Sequence, residues 1–123
     1  MEQIPNFLTS GTRPTIDDRG ILVFHIDKYG GMEFMEEYLD RNRETIYEYI
    51  LDRLCYSVRA GESEIELFAL DLSPMPITSV REDWMTSLKT IQDFYLVREE
   101  YERCAVTKQL IDILKNETTS IKV

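Results

Sequence analysis

Residues Ser79 to Lys115 run for thirty-seven positions without a glycine or a proline. A stretch this long that lacks both strong breakers reads as helix, and it limits what the rest of the chain can pack against. Ser79-Val80-Arg81-Glu82 has the form of a capping box, in which the serine hydroxyl accepts from a first-turn amide and Glu82 reaches back to the serine N–H. Trp84, Leu88, Ile91 and Tyr95 then recur at three- and four-residue steps. Val97, Tyr101, Cys104, Ala105, Ile111 and Leu114 carry the stripe on to Lys115-Asn116. As a single rod the stretch would span about 54 Å, at about 1.5 Å per residue. Two outcomes follow: a bend near Val97 to Glu99 that packs Leu88, Ile91 and Phe94 against Tyr101, Cys104 and Ala105, or a projecting helix that needs a partner.

What precedes this stretch must supply the rest of a core. A chain of 123 residues that is 43% hydrophobic and 11% aromatic can bury one without disulfides or metal. Residues 1–20 read as an arm punctuated by turn chemistry, with Ile4, Phe7 and Leu8 as its apolar patch. Ile21 to Asp27 is the clearest strand, with Leu22, Phe24 and Ile26 on one face and Ile21, Val23 and His25 on the other. Gly30-Gly31 then allows a sharp turn. Met32 to Arg59 reads as one helix or two, and Asn42 in the polar run Asp40-Arg41-Asn42-Arg43 is the N-cap of a restarted one.

Glu62 to Leu72 is the second strand, open to solvent on one side at its start and covered on both sides at its end. Ser73-Pro74-Met75-Pro76 excludes a central ladder position, and Ile77-Thr78 resumes a short edge pairing. Residues 118–123 are a polar tail, expected to be mobile. The order of elements specifies an α+β fold, or a small α/β one, with two long helical segments on a two- to four-stranded sheet. Residues 21–117 form a single domain. The pairing sense of the two main strands stays open.

Fourteen basic against twenty-three acidic residues give a formal charge of −9, opposite to what a phosphate-tracking groove requires, so direct nucleic-acid binding is not expected. The acidity is local. Residues 31–66 hold ten acids (Glu33, Glu36, Glu37, Asp40, Glu44, Glu48, Asp52, Glu62, Glu64 and Glu66) against four arginines, −6 of the total. Such a surface either solvates the protein or steers it to a basic partner. Cys55 and Cys104 fall in helical apolar patterns as core thiols, which fits a reducing, cytoplasmic setting. The N-terminus has no leader pattern and no segment has the apolar length of a membrane span, so a soluble, unprocessed chain is expected.

Enzyme chemistry has few footholds. If the strands pair in parallel, His25, Asp27 and Asp71 approach one another at their carboxyl ends, where open α/β sheets bind ligands, and these three are the only metal candidates. Strand-terminal aspartates more often cap turns, so neither a metal nor a cofactor is expected. No nucleophile elbow, phosphate loop, His-Glu-x-x-His or Cys-x-x-Cys pattern is present.

Glu99-Glu100-Tyr101-Glu102-Arg103-Cys104-Ala105, followed by Lys108-Gln109 and Ile111, resembles the UVR motif of bacterial excision-repair nuclease subunits and of certain Clp-type chaperones and adaptors. The resemblance covers Leu88 to Leu114. Thr107 stands where those families place an apolar residue, and Gln109 where they place an acid. It implies a short helical hairpin that pairs with another protein. The expectation is therefore a non-enzymatic interaction module, an adaptor or regulatory subunit, that binds another protein or a second copy of itself. Trp84, Tyr95 and Tyr101 are the aromatic contacts. The alternative is an acidic, phage-type inhibitor that uses Glu36, Glu37 and Asp40 to occupy the site of a basic nucleic-acid-binding protein. A metal-dependent enzyme is the lesser one.

Overall fold

The computed structural model describes residues 12–73 and 75–121. The expected arm lies outside this range for residues 1–11, as do Pro74 and the last two residues of the tail. The architecture is α+β, a four-stranded mixed sheet with five α-helices among the described residues. In order these are β1 (Thr15–Ile16), β2 (Leu22–Phe24), α1 (Ile26–Tyr29), a 3-10 turn (Met32–Phe34), α2 (Met35–Arg41), α3 (Arg43–Ala60), β3 (Glu64–Leu70), β4 (Ile77–Val80), α4 (Arg81–Val97) and α5 (Tyr101–Ile121).

The sheet order is β1-β2-β3-β4. β1 pairs antiparallel with β2, Thr15 opposite Val23 and Ile16 opposite Leu22. β2 pairs parallel with β3, Leu22 opposite Phe68, Val23 opposite Ala69 and Phe24 opposite Leu70. Parallel pairing thus places the carboxyl ends of β2 and β3 side by side, and the segment from α1 to α3 forms the crossover.

The described residues form two compact units. One takes the chain up to Tyr49 with Glu66–Thr78; the other takes Ile50–Ile65 with the chain from Ser79 onward. The first has an aromatic core. Phe24 stacks on Phe68 with centroids 4.4 Å apart, and Tyr38 meets Tyr29 edge-on at 5.3 Å. Leu22, Ile26 and Ile46 fill in around them, all buried. The core of the second is aliphatic with two large rings: Leu54, Val58, Ile65, Leu88, Ile91 and Leu110 with Trp84 and Tyr95.

Three expectations change. The strand expected over Ile21 to Asp27 stops at Phe24, and Ile26–Tyr29 is a helical turn. The apolar Ile26 looks like strand by type, but Tyr29 N–H donates to the His25 carbonyl and the Asp27 N–H is taken by the Asp71 side chain, so no ladder continues. The turn ends through Gly30, at φ 124°, where a Cβ would stand 2.6 Å from the Phe34 ring.

The long segment before β3 breaks at Asn42, which directly precedes the restarted helix as expected, but its side chain serves the helix behind it. Its side-chain Nδ2 donates to the Tyr38 carbonyl at 2.9 Å, closing α2, while its own carbonyl accepts from Ile46 to start α3. The expected capping box at Ser79 does not form. Ser79 belongs to β4, the N-cap of α4 is Val80, and no side chain caps it. The Arg81 N–H instead donates to the Ser63 carbonyl at 2.8 Å, so the backbone just before β3 supplies the acceptor that the serine hydroxyl was expected to provide.

Candidate functional site

The thirty-seven-residue stretch bends. α4 ends at Val97 and α5 begins at Tyr101, and the reversal between them is a Schellman turn. Glu99 N–H donates to Leu96 O at 3.0 Å and Glu100 N–H to Tyr95 O at 2.9 Å, with Glu99 in the left-handed region at φ 60°. Glutamate at this position carries the steric penalty that glycine avoids. The absence of glycine therefore does not prevent the turn; it only makes the turn cost more.

The two arms meet through Leu88, Ile91 and Tyr95 of α4 and through Cys104, Thr107, Leu110 and Leu114 of α5, and α5 continues to Ile121. Cys104 Sγ lies 3.8 Å from the Gln92 carbonyl. Thr107 is fully buried at the position where the UVR pattern has an apolar residue. Its hydroxyl donates to the Cys104 carbonyl of its own helix at 2.7 Å, so the seam meets its methyl group. The register differs from the expected one: Tyr101 and Ala105 point to solvent rather than into the seam.

The bend carries an apolar cap. Leu96 is 53% exposed, Val97 84% and Tyr101 61%. These three flank the turn, and none fills the seam. Part of the charge beside them is paired. Glu100 sits between Arg98, at 3.2 Å, and Arg103, at 3.7 Å. The Arg98 guanidinium lies over the Phe94 ring at 5.0 Å and that of Arg103 over Tyr95 at 5.3 Å. The tip is thus apolar at its crest, with Glu100 paired to two arginines on its flanks and the Glu99 carboxylate exposed in the turn itself.

Of the aromatic contacts expected from sequence, Tyr101 alone is available at the surface. Trp84 and Tyr95 are each 1% exposed and belong to the core. Trp84 Nε1 donates to the Ser79 carbonyl at 3.4 Å, and Arg81 covers its ring at 5.2 Å. Helical spacing marks which residues turn inward, and both of these lie on the inward stripe. Leu96 and Val97 were missed because an apolar residue at the end of a stripe reads as its continuation; the left-handed turn after them removes them from it.

The acids expected to face a partner do face solvent. Glu36, Glu37 and Asp40 are exposed, as are the other seven between residues 31 and 66. Glu37 pairs with Arg41 at 3.6 Å, and Asp40 with Arg43 at close range. Cys55 and Cys104 are free and half-buried.

At the carboxyl ends of β2 and β3 the parallel pairing brings His25 and Asp71 together, their side chains 16% and 17% exposed, with Nδ1 and Oδ2 3.9 Å apart. Asp27 joins through its backbone, its N–H donating to Asp71 Oδ1 at 2.9 Å. Thr15, which the sequence did not single out, places Oγ1 2.8 Å from His25 Nε2. The His25 N–H donates to the Tyr38 hydroxyl at 2.9 Å. Burial pushes that hydroxyl up to about 12, against the lowering effect of the His25 bond, and the nearby charge of Asp71 adds to the rise. Among the described residues no group of three or more His, Cys, Asp or Glu side chains is placed to hold a metal ion. Nor is any helix among them long and apolar enough to cross a membrane.

No protein-family model, curated protein or solved structure matches the chain, so the resemblance of residues 88–114 to the UVR motif stands on those residues alone.

Proposed function

We propose that this chain is a protein–protein interaction module, an adaptor or regulatory subunit, whose docking element is the tip of the α4–α5 hairpin. The observation that carries the reading is the exposure of Leu96, Val97 and Tyr101 on either side of one turn. Apolar side chains clustered at a turn, outside the seam that stabilises the hairpin, have no folding role there, and aromatics in such clusters are frequent hot spots. Pairing of Glu100 with Arg98 and Arg103 lowers the desolvation cost of the charges flanking the tip.

The test is a Val97→Asp/Tyr101→Asp double variant. It is expected to melt as the wild type does, because neither side chain fills the core. It is also expected to lose the complex that the wild type is expected to form, a dimer read by light scattering or one dominant protein recovered by affinity capture. Retention of that complex by a folded double variant removes the tip from the function.

A second reading has its own observation, the exposure of all ten acids between residues 31 and 66. The carboxylates of Glu36, Glu37 and Asp40, all in the first unit, can occupy the site of a basic nucleic-acid-binding protein. Binding of that kind weakens steeply with added salt and is lost on charge reversal at Glu36, Glu37 and Asp40, whereas an apolar tip contact is nearly indifferent to both.

A further inference from the structure

In the first unit a hydroxyl, an imidazole and a carboxylate stand in line: Thr15 Oγ1, 2.8 Å from His25 Nε2, then Nδ1, 3.9 Å from Asp71 Oδ2. Sheet register explains the alignment. Thr15 faces Val23 across the β1–β2 pair, so it shares a sheet face with His25 two residues on. Phe24 lies beside Leu70 in the parallel pair, which sets Asp71 beside His25.

Two of the three are held from behind. The backbone of His25 is tied to the buried Tyr38 hydroxyl. Asp71 is fixed twice, by the Asp27 N–H on Oδ1 at 2.9 Å and by its own N–H donating to the Phe24 carbonyl at 3.0 Å. Its second oxygen, Oδ2, is the one turned to the imidazole. His25 Nδ1 is withdrawn from solvent and has no hydrogen-bond partner. An orphaned buried nitrogen is destabilising, and such costs are characteristic of working sites rather than of scaffolding.

A cavity of about 370 Å³ opens against Asp71. Val23, Ala69, Leu70 and Leu72 give it apolar walls, and Arg19, held by Asp17 at 3.1 Å, stands on its polar side. This is the position at which parallel strands of open sheets present ligands.

We propose that Thr15, His25 and Asp71 form an acyl-transfer site that hydrolyses small carboxylic esters; of the three, Asp71 also lines the cavity. Thr15 Oγ1 bonds to the ester carbonyl carbon as His25 Nε2 takes its proton. The electron pair displaced onto the carbonyl oxygen returns, the bond from that carbon to the alkoxy oxygen breaks, and the Nε2 proton leaves with the alkoxide as an alcohol. Water then bonds to the acyl carbon as Nε2 takes its proton, the bond from that carbon to Thr15 Oγ1 breaks, and the Nε2 proton passes to Oγ1, which frees the carboxylic acid and restores the threonine. Asp71 is the positioning residue. A shift of about 1 Å closes the Nδ1–H to Oδ2 hydrogen bond once the imidazole becomes cationic.

The probe is p-nitrophenyl acetate with the full chain, read by nitrophenol release and by peptide mass mapping. The expected result is one acetyl group on Thr15. Thr15→Ala removes that label and lowers release at least about tenfold, Thr15→Ser keeps both, and His25→Ala lowers acylation about a hundredfold or more. Asp71→Asn is expected to lower the rate and to move the pH profile, which a purely structural role would not do. Thr15 is exposed, so Thr15→Ala is expected to keep the wild-type circular dichroism spectrum. The proposal is overturned if folded Thr15→Ala releases nitrophenol as fast as the wild type. It is equally overturned if the acetyl label falls on lysines or His25 and never on Thr15.

Discussion

The Arg81 guanidinium grips the Glu117 carboxylate with two prongs across thirty-six residues of chain: Nη2 lies 2.8 and 2.6 Å from its two oxygens, and Nε lies 3.1 Å from Oε1. The same guanidinium donates to the Val58 carbonyl at 3.1 Å and to the Glu62 carbonyl at 2.6 Å, at the end of α3 and just beyond it. One side chain therefore closes the carboxyl end of α3 and anchors α5. A lysine has neither the planar fork nor enough donors in the right directions for all four acceptors.

Arg81→Lys is accordingly expected to destabilise the protein by about 2 kcal/mol, mostly through acceptors left unmatched. Glu117 is 43% exposed, so Glu117→Gln is expected to cost less, about 1 kcal/mol after allowance for solvent screening. Urea denaturation of the two variants gives the comparison. Equal losses would mean that the ion pair alone, and not the carbonyl contacts, carries the effect.

Glu99 is the one non-glycine residue at positive φ among those described. Glycine at the same place keeps both backbone bonds of the turn and loses the clash of Cβ with the following carbonyl. Glu99→Gly is expected to stabilise the hairpin by about 1 kcal/mol, net of the larger unfolded-state entropy of glycine. The check is a higher denaturation midpoint with an unchanged slope.

Two buried tyrosines make opposite predictions for the same substitution. The Tyr29 hydroxyl is buried without a hydrogen-bond partner, and Tyr29→Phe is expected to leave stability unchanged or raise it by up to about 1 kcal/mol. The Tyr38 hydroxyl accepts from the His25 N–H, and Tyr38→Phe leaves that donor unmatched at a cost of about 1–3 kcal/mol. The opposite signs are measurable by thermal or chemical denaturation of the pair.

The same hydroxyls set the alkaline limit. The unfolded chain gives up its tyrosine protons near pH 10, whereas Tyr38 in the folded protein holds its proton until about 12. Tyr29 is shifted upward as well, chiefly by burial. The folded state thus binds more protons between these values. The stability this contributes is complete below pH 10 and is lost as pH rises through the folded values. For Tyr38 the loss amounts to about 1–2 kcal/mol, allowing for partial screening. Denaturation midpoints followed from pH 9 to 12 are expected to fall, and to fall less in Tyr38→Phe.

Where the reading of the sequence succeeded, local chemistry decided the structure. Gly30-Gly31 ends an element and the polar run around Asn42 breaks one, because backbone conformation and side-chain reach act over a few residues. It failed where a distant group answered a local need. The capping box at Ser79 is a sound local signal, but the Ser63 carbonyl took the amide. Ile26 has strand character, but the Asp71 carboxylate drew the backbone of the next residue into a turn. Trp84 and Tyr95 were expected at a partner surface by residue type, and periodicity, the stronger signal, had already placed them inside.

Alone, the sequence determined the two main strands and the long helical segments, the inward stripe of Trp84, Leu88, Ile91 and Tyr95, the place where a bend could fall and the concentration of acids in residues 31–66. These follow from periodicity, breaker residues and charge, all of which are local. Tertiary structure alone decided the parallel sense of β2 and β3, which carbonyls Arg81 closes, and which apolar residues of the hairpin stay in water. It also brought Thr15, His25 and Asp71 into line. Contacts between residues far apart depend on register, and a sheet register is chosen by the summed burial of whole faces, a quantity that no short stretch of chain carries.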